Sequence, residues 1–213
     1  MRVLTLNVQG FRDGIDPVAA LIRSTDPDAV AINEAFRGET KRLAQRSGRV
    51  SVFGTTRPLR GFGNAILLRE PPRNTRRLVF GRTRGYAARG AVAVASGGVA
   101  FVATHLGLSD EERVRHAMQL VTWLEPYEKV VLAGDLNEGP DEPAARYLTA
   151  SYRDAFAEAG EGSGETYPAS DPLHRIDYIL CSRSLTPVRA SVVAIAASDH
   201  RAVTAEIRPS GST

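Results

Sequence analysis

Short apolar runs in this chain end, one after another, on residues that a protein core would not tolerate unpaired. Leu4-Thr5-Leu6 stops at Asn7, Ala29-Val30-Ala31-Ile32-Asn33 at Glu34, and Phe101-Val102-Ala103-Thr104 at His105. Val130-Val131-Leu132-Ala133 leads through Gly134 to Asp135 and Asn137. Asp177 stands between Ile176 and Tyr178, and Asp199-His200 precede Ala202-Val203. Runs of this length and composition read as strands, and functional groups concentrate where a rigid strand gives way to a loop. The pattern demands sheets whose strand ends share a rim.

The remaining segments fit that demand. Strands are expected at residues 4–8, 29–33, 50–53, 64–68, 91–95, 99–104, 130–133, 176–180, 188–193 and 202–207. Ser96-Gly97-Gly98 reads as a hairpin turn. Helices are expected at residues 16–24, with Pro17 in the first turn, at 39–46, and at 109–124. The last opens on the capping box Ser109-x-x-Glu112. Val114, Ala117, Met118, Val121 and Leu124 form its apolar stripe. Trp123 borders that stripe and is expected in the core, while His116 lies off it and is expected to face solvent. Residues 158–172, rich in Gly, Ser, Glu and Asp, read as a surface loop, and residues 209–213 as a frayed tail. Strands in this number with flanking helices predict two packed sheets covered by helices.

The chain has 213 residues and 43% hydrophobic content, which suits one domain with a substantial core. A single cysteine, Cys181, excludes an internal disulfide and a cysteine-rich zinc site. No apolar run approaches the length of a transmembrane helix and no signal peptide is visible, so the expectation is a cytoplasmic monomer. The net charge is only +3, but residues 57–89 hold nine arginines and one acid, Glu70. That local excess suits an anionic partner. It also has a plain explanation: with only Lys41 and Lys129 as lysines, arginine is this chain's general cation.

The polar residues at the strand ends are of the types one reaction needs. Glu34 is a hard oxygen ligand for Mg²⁺ or Mn²⁺, Asn7 adds a neutral oxygen, and Asp199 adds a second carboxylate. Asp135 can hold and deprotonate a water, with Asn137 orienting it. His200 as imidazolium can donate to a phosphate oxygen, with Asp177 fixing its tautomer, and His105 can make a second phosphate contact. Each residue alone has an ordinary alternative. Asn and Asp at strand ends are commonly turn or cap residues, Glu34 can cap the helix near Glu39, and His105 can be a core histidine with its hydrogen bonds met. His174 is a candidate for the pocket mouth, and Tyr86 and Tyr167 are candidates for stacking on a substrate.

The ordered set Leu6-Asn7, Asn33-Glu34, Thr104-His105, Gly134-Asp135-Leu136-Asn137, Arg175-Ile176-Asp177-Tyr178 and Ser198-Asp199-His200 resembles the endonuclease/exonuclease/phosphatase superfamily. The resemblance runs from residue 3 to 207. It implies an α/β fold, a four-layer α/β/β/α sandwich of two mostly antiparallel sheets with outer helices (DNase I-like), spanning residues 1–213 as one domain. It implies a divalent-metal site of Asn7 and Glu34 with Asp199 nearby, Asp135 and Asn137 positioning the nucleophile, and Asp177 paired with His200. It places His105 at a position that is His in the DNase I and sphingomyelinase branches. Asn33 departs from the glutamine usual before the metal glutamate, and Asn64 is a rim candidate without a role. The expected activity is Mg²⁺- or Mn²⁺-dependent hydrolysis of a phosphate ester, foremost a phosphodiester. The substrate is a small molecule or a nucleic acid, and short length favours the small one. The alternatives are a nuclease and a catalytically silent module that holds anions.

Overall fold

The computed structural model describes residues 1–57, 61–81 and 88–211, with the side chain of Arg57 left aside. Two mixed sheets lie face to face with helices outside them. The first sheet has the order β10-β12-β13-β1-β2-β4-β3. Its strands are β1 (Arg2–Asn7), β2 (Ala29–Phe36), β3 (Val50–Arg57), β4 (Phe62–Leu68), β10 (Gly160–Glu161), β12 (Leu185–Val193) and β13 (Ala202–Pro209). The second has the order β5-β6-β7-β8-β11-β9. Its strands are β5 (Asn74–Val79), β6 (Gly90–Ser96), β7 (Val99–His105), β8 (Val130–Asp135), β9 (Tyr152–Asp154) and β11 (Asp177–Ser182). The helices are α1 (Asp16–Thr25), α2 (Arg37–Arg46), α3 (Asp110–Leu124), α4 (Pro143–Ser151) and α5 (Ala155–Ala159). None is long and apolar enough to cross a membrane among the described residues.

Four layers need three cores, and the strands supply them by alternation. In β7, Val99, Phe101 and Ala103 point between the sheets, while Ala100 and Val102 point outward under α3 and α4. In β8, Val131 and Ala133 face inward and Val130 and Leu132 outward. The third core packs Leu4, Leu6, Val30 and Ile32 against Val18 and Ile22 of α1 and Leu43 of α2. Strands covered on both faces read as continuous apolar runs, which is why these runs were legible. Burying one such large side chain contributes roughly 1.5–3 kcal/mol.

The Gly97-Gly98 turn closes β6 onto β7 with φ of 57° and 79°, the left-handed pair that a two-residue hairpin of the right twist requires. Ser109 caps α3 as expected, its side chain accepting from Glu112 N. The buried face of α3 is turned from the predicted stripe. Met118 is 50% exposed, and His116 is buried beside Arg113, Ala117 and Leu120. The polar residues win that face because each finds partners. His116 stacks on Phe80 and its Nδ1 accepts from Gly107 N, so the expectation that it faces solvent is corrected.

Trp123 is partly buried against the outer core, with the Arg76 guanidinium 5.1 Å over its ring. Strand β5 and helices α4 and α5 went unpredicted, and the expected loop from residue 158 begins inside α5 and includes β10. Helix α2 starts at Arg37 with Phe36 as N-cap and no side-chain cap, so Glu34 does not cap it.

Candidate active site

Strand register sets the site. Asn7 pairs Asn33 between parallel β1 and β2. His105 is opposite Asp135 between parallel β7 and β8, and Asp177 is opposite Asp135 between antiparallel β11 and β8. The polar residues therefore stand at one level, at one end of both sheets.

Asp135 is the centre. It is 1% exposed. Its Oδ1 accepts from Asn137 N at 2.8 Å and its Oδ2 from Asn7 Nδ2 at 3.0 Å. His105 Nε2 lies 3.3 Å and His200 Nε2 3.8 Å from that same Oδ2. Burial and the neighbouring Asp177 push the Asp135 carboxyl up to about 7, against the pull of His200, Asn7 and Asn137. His200 shows the opposite outcome. Burial disfavours its charge, but the hydrogen bond and charge of Asp177, with Asp135 and Asp199 behind it, raise the imidazole to about 9. Its Nδ1 is 2.8 Å from Asp177 Oδ2, which also accepts from Thr166 Oγ1 at 2.7 Å. The ring of Tyr167 covers the imidazole at 4.9 Å.

His105 is buried with both nitrogens engaged. Arg89 Nη1 is 3.1 Å from Nδ1, and Asn137 Nδ2 is 2.9 Å from Nε2. Burial first, then the charges of Arg89 and His200, hold it well below its ordinary value, so it is neutral. Arg89 Nη1 also lies 3.3 Å from Glu34 Oε1. Glu34 sits where the β2–β4 register shifts between Ile32 and Ala35, with φ of 55°. A bulge at a strand end re-aims a side chain, and a left-handed glutamate is the kind of backbone strain that collects at functional sites. Asn137 shares that conformation at φ 56°. Asp199 accepts from Gln9 Nε2 at 2.8 Å. Ser198 Oγ donates to Asn7 O at 2.6 Å, tying the Asp199-His200 turn to β1.

Beneath the rim, amides join the sheets. Asn33 Nδ2 donates to Thr104 O at 2.7 Å and to Asn64 Oδ1 at 3.1 Å, and Asn33 Oδ1 accepts from Asp135 N at 3.2 Å. Asn64 Nδ2 donates to Gly90 O at 2.7 Å. Asn64 is thus a buried strut. Gly134, at φ 145°, lies so close that a Cβ would stand 1.9 Å from Thr104 O.

The structure joins Asn7, Asp135, Asn137, Asp177, His200, His105 and Glu34 through a continuous chain of contacts, with Asp199 adjoining through Gln9 and Ser198. Sequence reasoning passed over Gln9 and Thr166, and met Arg89 only as one arginine of nine. Of that basic region, Arg69 pairs with Asp26 and Asp28, Arg76 covers Trp123, and Arg89 alone among the described residues reaches this site. Arg60, Arg82, Arg84 and Tyr86 lie outside the described residues. His174 is exposed, and its backbone rather than its ring does the holding: its N–H and carbonyl pair with Tyr167.

One ligand atom each from Asp135, Asp177 and His200 falls within a 4.8 Å group. Asp177 Oδ1 is buried with no hydrogen-bond partner. The orphaned Asp177 oxygen and the oxygens of Glu34, Asn7 and Asp199, with no thiolate among them, are donor types that fit a hard divalent cation.

The sequence pattern of the Endonuclease/Exonuclease/phosphatase family matches residues 4–200, and the chain belongs to that family. Among solved structures, a mannosyl-6-phosphatase from Bacteroides thetaiotaomicron is 16% identical with a TM-score of 0.86, over 98% of this chain and 99% of that one. Humanized TDP2 from D. rerio is 19% identical with a TM-score of 0.81, over 98% of each chain. A 3′ phosphatase, NExo, from Neisseria, bound to a product DNA hairpin, is 19% identical with a TM-score of 0.78, over 98% and 99%. At these identities the likeness is one of fold. No curated protein sequence matches.

Proposed function

We propose that the protein is a divalent-metal-dependent phosphodiesterase that hydrolyses its ester by in-line attack of water. Membership in a family of endonucleases, exonucleases and phosphatases supports hydrolysis of phosphate esters. The observation that carries the assignment is the buried group of Asp135, Asp177 and His200, with one carboxylate raised to about 7 and the imidazole to about 9. Two such upward shifts leave a base and a proton donor available in the same pH range.

Asp135, held by Asn7 and the Asn137 backbone, takes a proton from water as the water oxygen bonds to phosphorus. The bond from phosphorus to the leaving oxygen breaks, and that oxygen is protonated from solvent. His200, charged and fixed through Nδ1 by Asp177, donates from Nε2 to a non-bridging phosphate oxygen. His105, neutral and with both nitrogens engaged, is a positioning residue for Asp135 and Asn137, in place of the direct phosphate contact expected from sequence. Glu34, Asn7 and Asp199 would hold the cation, which when bound supplies charge neutralisation for the phosphate in the transition state.

Hydrolysis of bis-p-nitrophenyl phosphate with Mn²⁺ tests this. Turnover is expected to vanish with EDTA and to fall by about 10²–10⁴ in Asp135→Ala, with severe losses in Glu34→Ala and His200→Ala and a folded circular-dichroism spectrum in each. Near-normal kcat in all three would overturn the assignment.

A further inference from the structure

We propose that the flank of the sandwich beside α2 binds single-stranded nucleic acid and leads it to the active site. The inference rests on the phosphodiesterase reading and names its substrate class. Strands β3 and β5 are the lateral edges of their sheets, and α2 lies alongside β3. Between them runs a groove of about 700 Å³ lined by Arg37, Lys41 and Arg77 with no acidic residue among its lining. Arg37 and Lys41 stand four residues apart on α2 and so share a face.

The charges in this groove are uncommitted. Arg37 Nη2 donates to Thr55 Oγ1, its guanidinium resting 4.9 Å over Phe53. Arg77 Nε donates to the Phe53 carbonyl. Both contacts orient a guanidinium without neutralising it. Among the described residues no carboxylate pairs with Arg37, Lys41 or Arg77. Arg49, which also lines the groove, is by contrast spent on Asp26. Cations brought to one concavity with no counter-charge form a surface for a polyanion.

Topology connects the groove to the chemistry. Strand β2 runs parallel to β1, so its last residues reach the rim, and α2 begins there and runs back down the flank. Phe36 stands at that junction, two residues beyond Glu34. It is 37% exposed and braced edge-on by Phe62 at 5.2 Å. A braced, exposed ring beside a basic groove is the arrangement that stacks an unpaired base while cations follow the backbone. Stacking on Phe36 requires a base free of its partner, which selects a single strand over a duplex. A small phosphate ester filling the site would have no use for cations leading away from it.

The test is fluorescence anisotropy of a labelled oligo-dT of about ten nucleotides, a length within single-strand site sizes, in EDTA and across a salt series. Lys41→Glu/Arg77→Glu is expected to weaken binding about tenfold or more and to flatten the salt slope by about 1–2. Phe36→Ala is expected to weaken oligo-dT about fivefold or more and to leave binding of inorganic polyphosphate unchanged. Hydrolysis of bis-p-nitrophenyl phosphate by the double variant is expected to equal that of the parent. Unchanged oligo-dT affinity in the double variant overturns the proposal. So does equal loss of oligo-dT and polyphosphate on Phe36→Ala, or parent protein that prefers phosphatidylserine vesicles to oligo-dT. A parent that binds oligo-dT as expected yet hydrolyses no ester would instead remove the phosphodiesterase reading and leave the groove standing.

Discussion

His200 and Asp177 meet across the two sheets: Nδ1 of the histidine, just before β13, lies 2.8 Å from Oδ2 of the aspartate that opens β11. Asn7 with Asp135, and Asn33 with Thr104, span the same interface. The site is the seam of the sandwich, so its geometry depends on how the sheets are held together as much as on the reacting residues.

The His200–Asp177 pair sets a pH dependence of stability in the metal-free protein. The folded imidazole titrates at about 9 against an ordinary value of 6.5. A raised folded value means stabilisation that is complete below about 6.5 and is lost as pH rises through about 9. Urea midpoints measured in EDTA should fall across that window. In Asp177→Asn the fall should largely disappear, and NMR should show the His200 titration moving to lower pH. A histidine that still titrates near 9 in the variant would contradict the pairing.

Asn33 joins the sheets directly below. Replacing it with Ala leaves Thr104 O, Asp135 N and Asn64 Oδ1 without their buried partner. At roughly 1–3 kcal/mol for each unsatisfied group, the loss should be about 3 kcal/mol or more, read as a lowered urea midpoint. Turnover should fall as well, because the Asp135 backbone loses its anchor. A variant within about 0.5 kcal/mol of the parent, the range of an inert surface change, would mean that the amide bridge carries no weight.

The turn beyond Asn137 is pinned from the helix layer. Arg113 Nε donates to Glu138 Oε2 at 2.6 Å, with the glutamate side chain fully buried, and Tyr178 OH donates to the Glu138 carbonyl at 3.0 Å. Arg113→Met strands a buried carboxylate and should cost about 3–5 kcal/mol. Adding Glu138→Leu should restore part of that loss, since removing both charges also removes the desolvation penalty. A double variant as unstable as the single would show that Arg113 acts through packing alone.

How far the sequence was legible follows from what each element buries. Strands β7 and β8 bury both faces and announce themselves as apolar runs. Strand β5, Asn74-Thr75-Arg76-Arg77-Leu78-Val79, is an edge whose residues are partly or fully exposed, and no apolar period marks it. The site residues were legible because carboxylates and imidazoles closing apolar runs need a reason to be there. Their supports were not. Thr166 lies in a polar stretch and matters only because the chain folds back to place its hydroxyl on Asp177. His116 was misread because periodicity counts apolar residues, and a histidine with a stacked ring and bonded nitrogens buries as readily as a leucine.

Arg89 shows the same limit and gives the sharpest test. Nothing in a run of nine arginines marks the one that turns inward, yet this side chain touches both Glu34 and His105. Arginine only donates, so His105 Nδ1 presents its lone pair to Arg89 at 3.1 Å. The same cation adds to burial in keeping His105 neutral. Arg89→Met should therefore raise the His105 titration toward its ordinary 6.5 and let the proton populate Nδ1, both visible in ¹⁵N spectra of the ring. Turnover should fall by about tenfold or more and acquire a loss on the acid side, where the ring becomes protonated; that factor corresponds to about 1.4 kcal/mol of transition-state stabilisation. Arg89→Lys should keep the charge and so the low titration, but lose the planar fork that reaches Glu34 and His105 together. An unchanged tautomer and an unchanged pH profile in Arg89→Met would show that Arg89 does not set the state of His105.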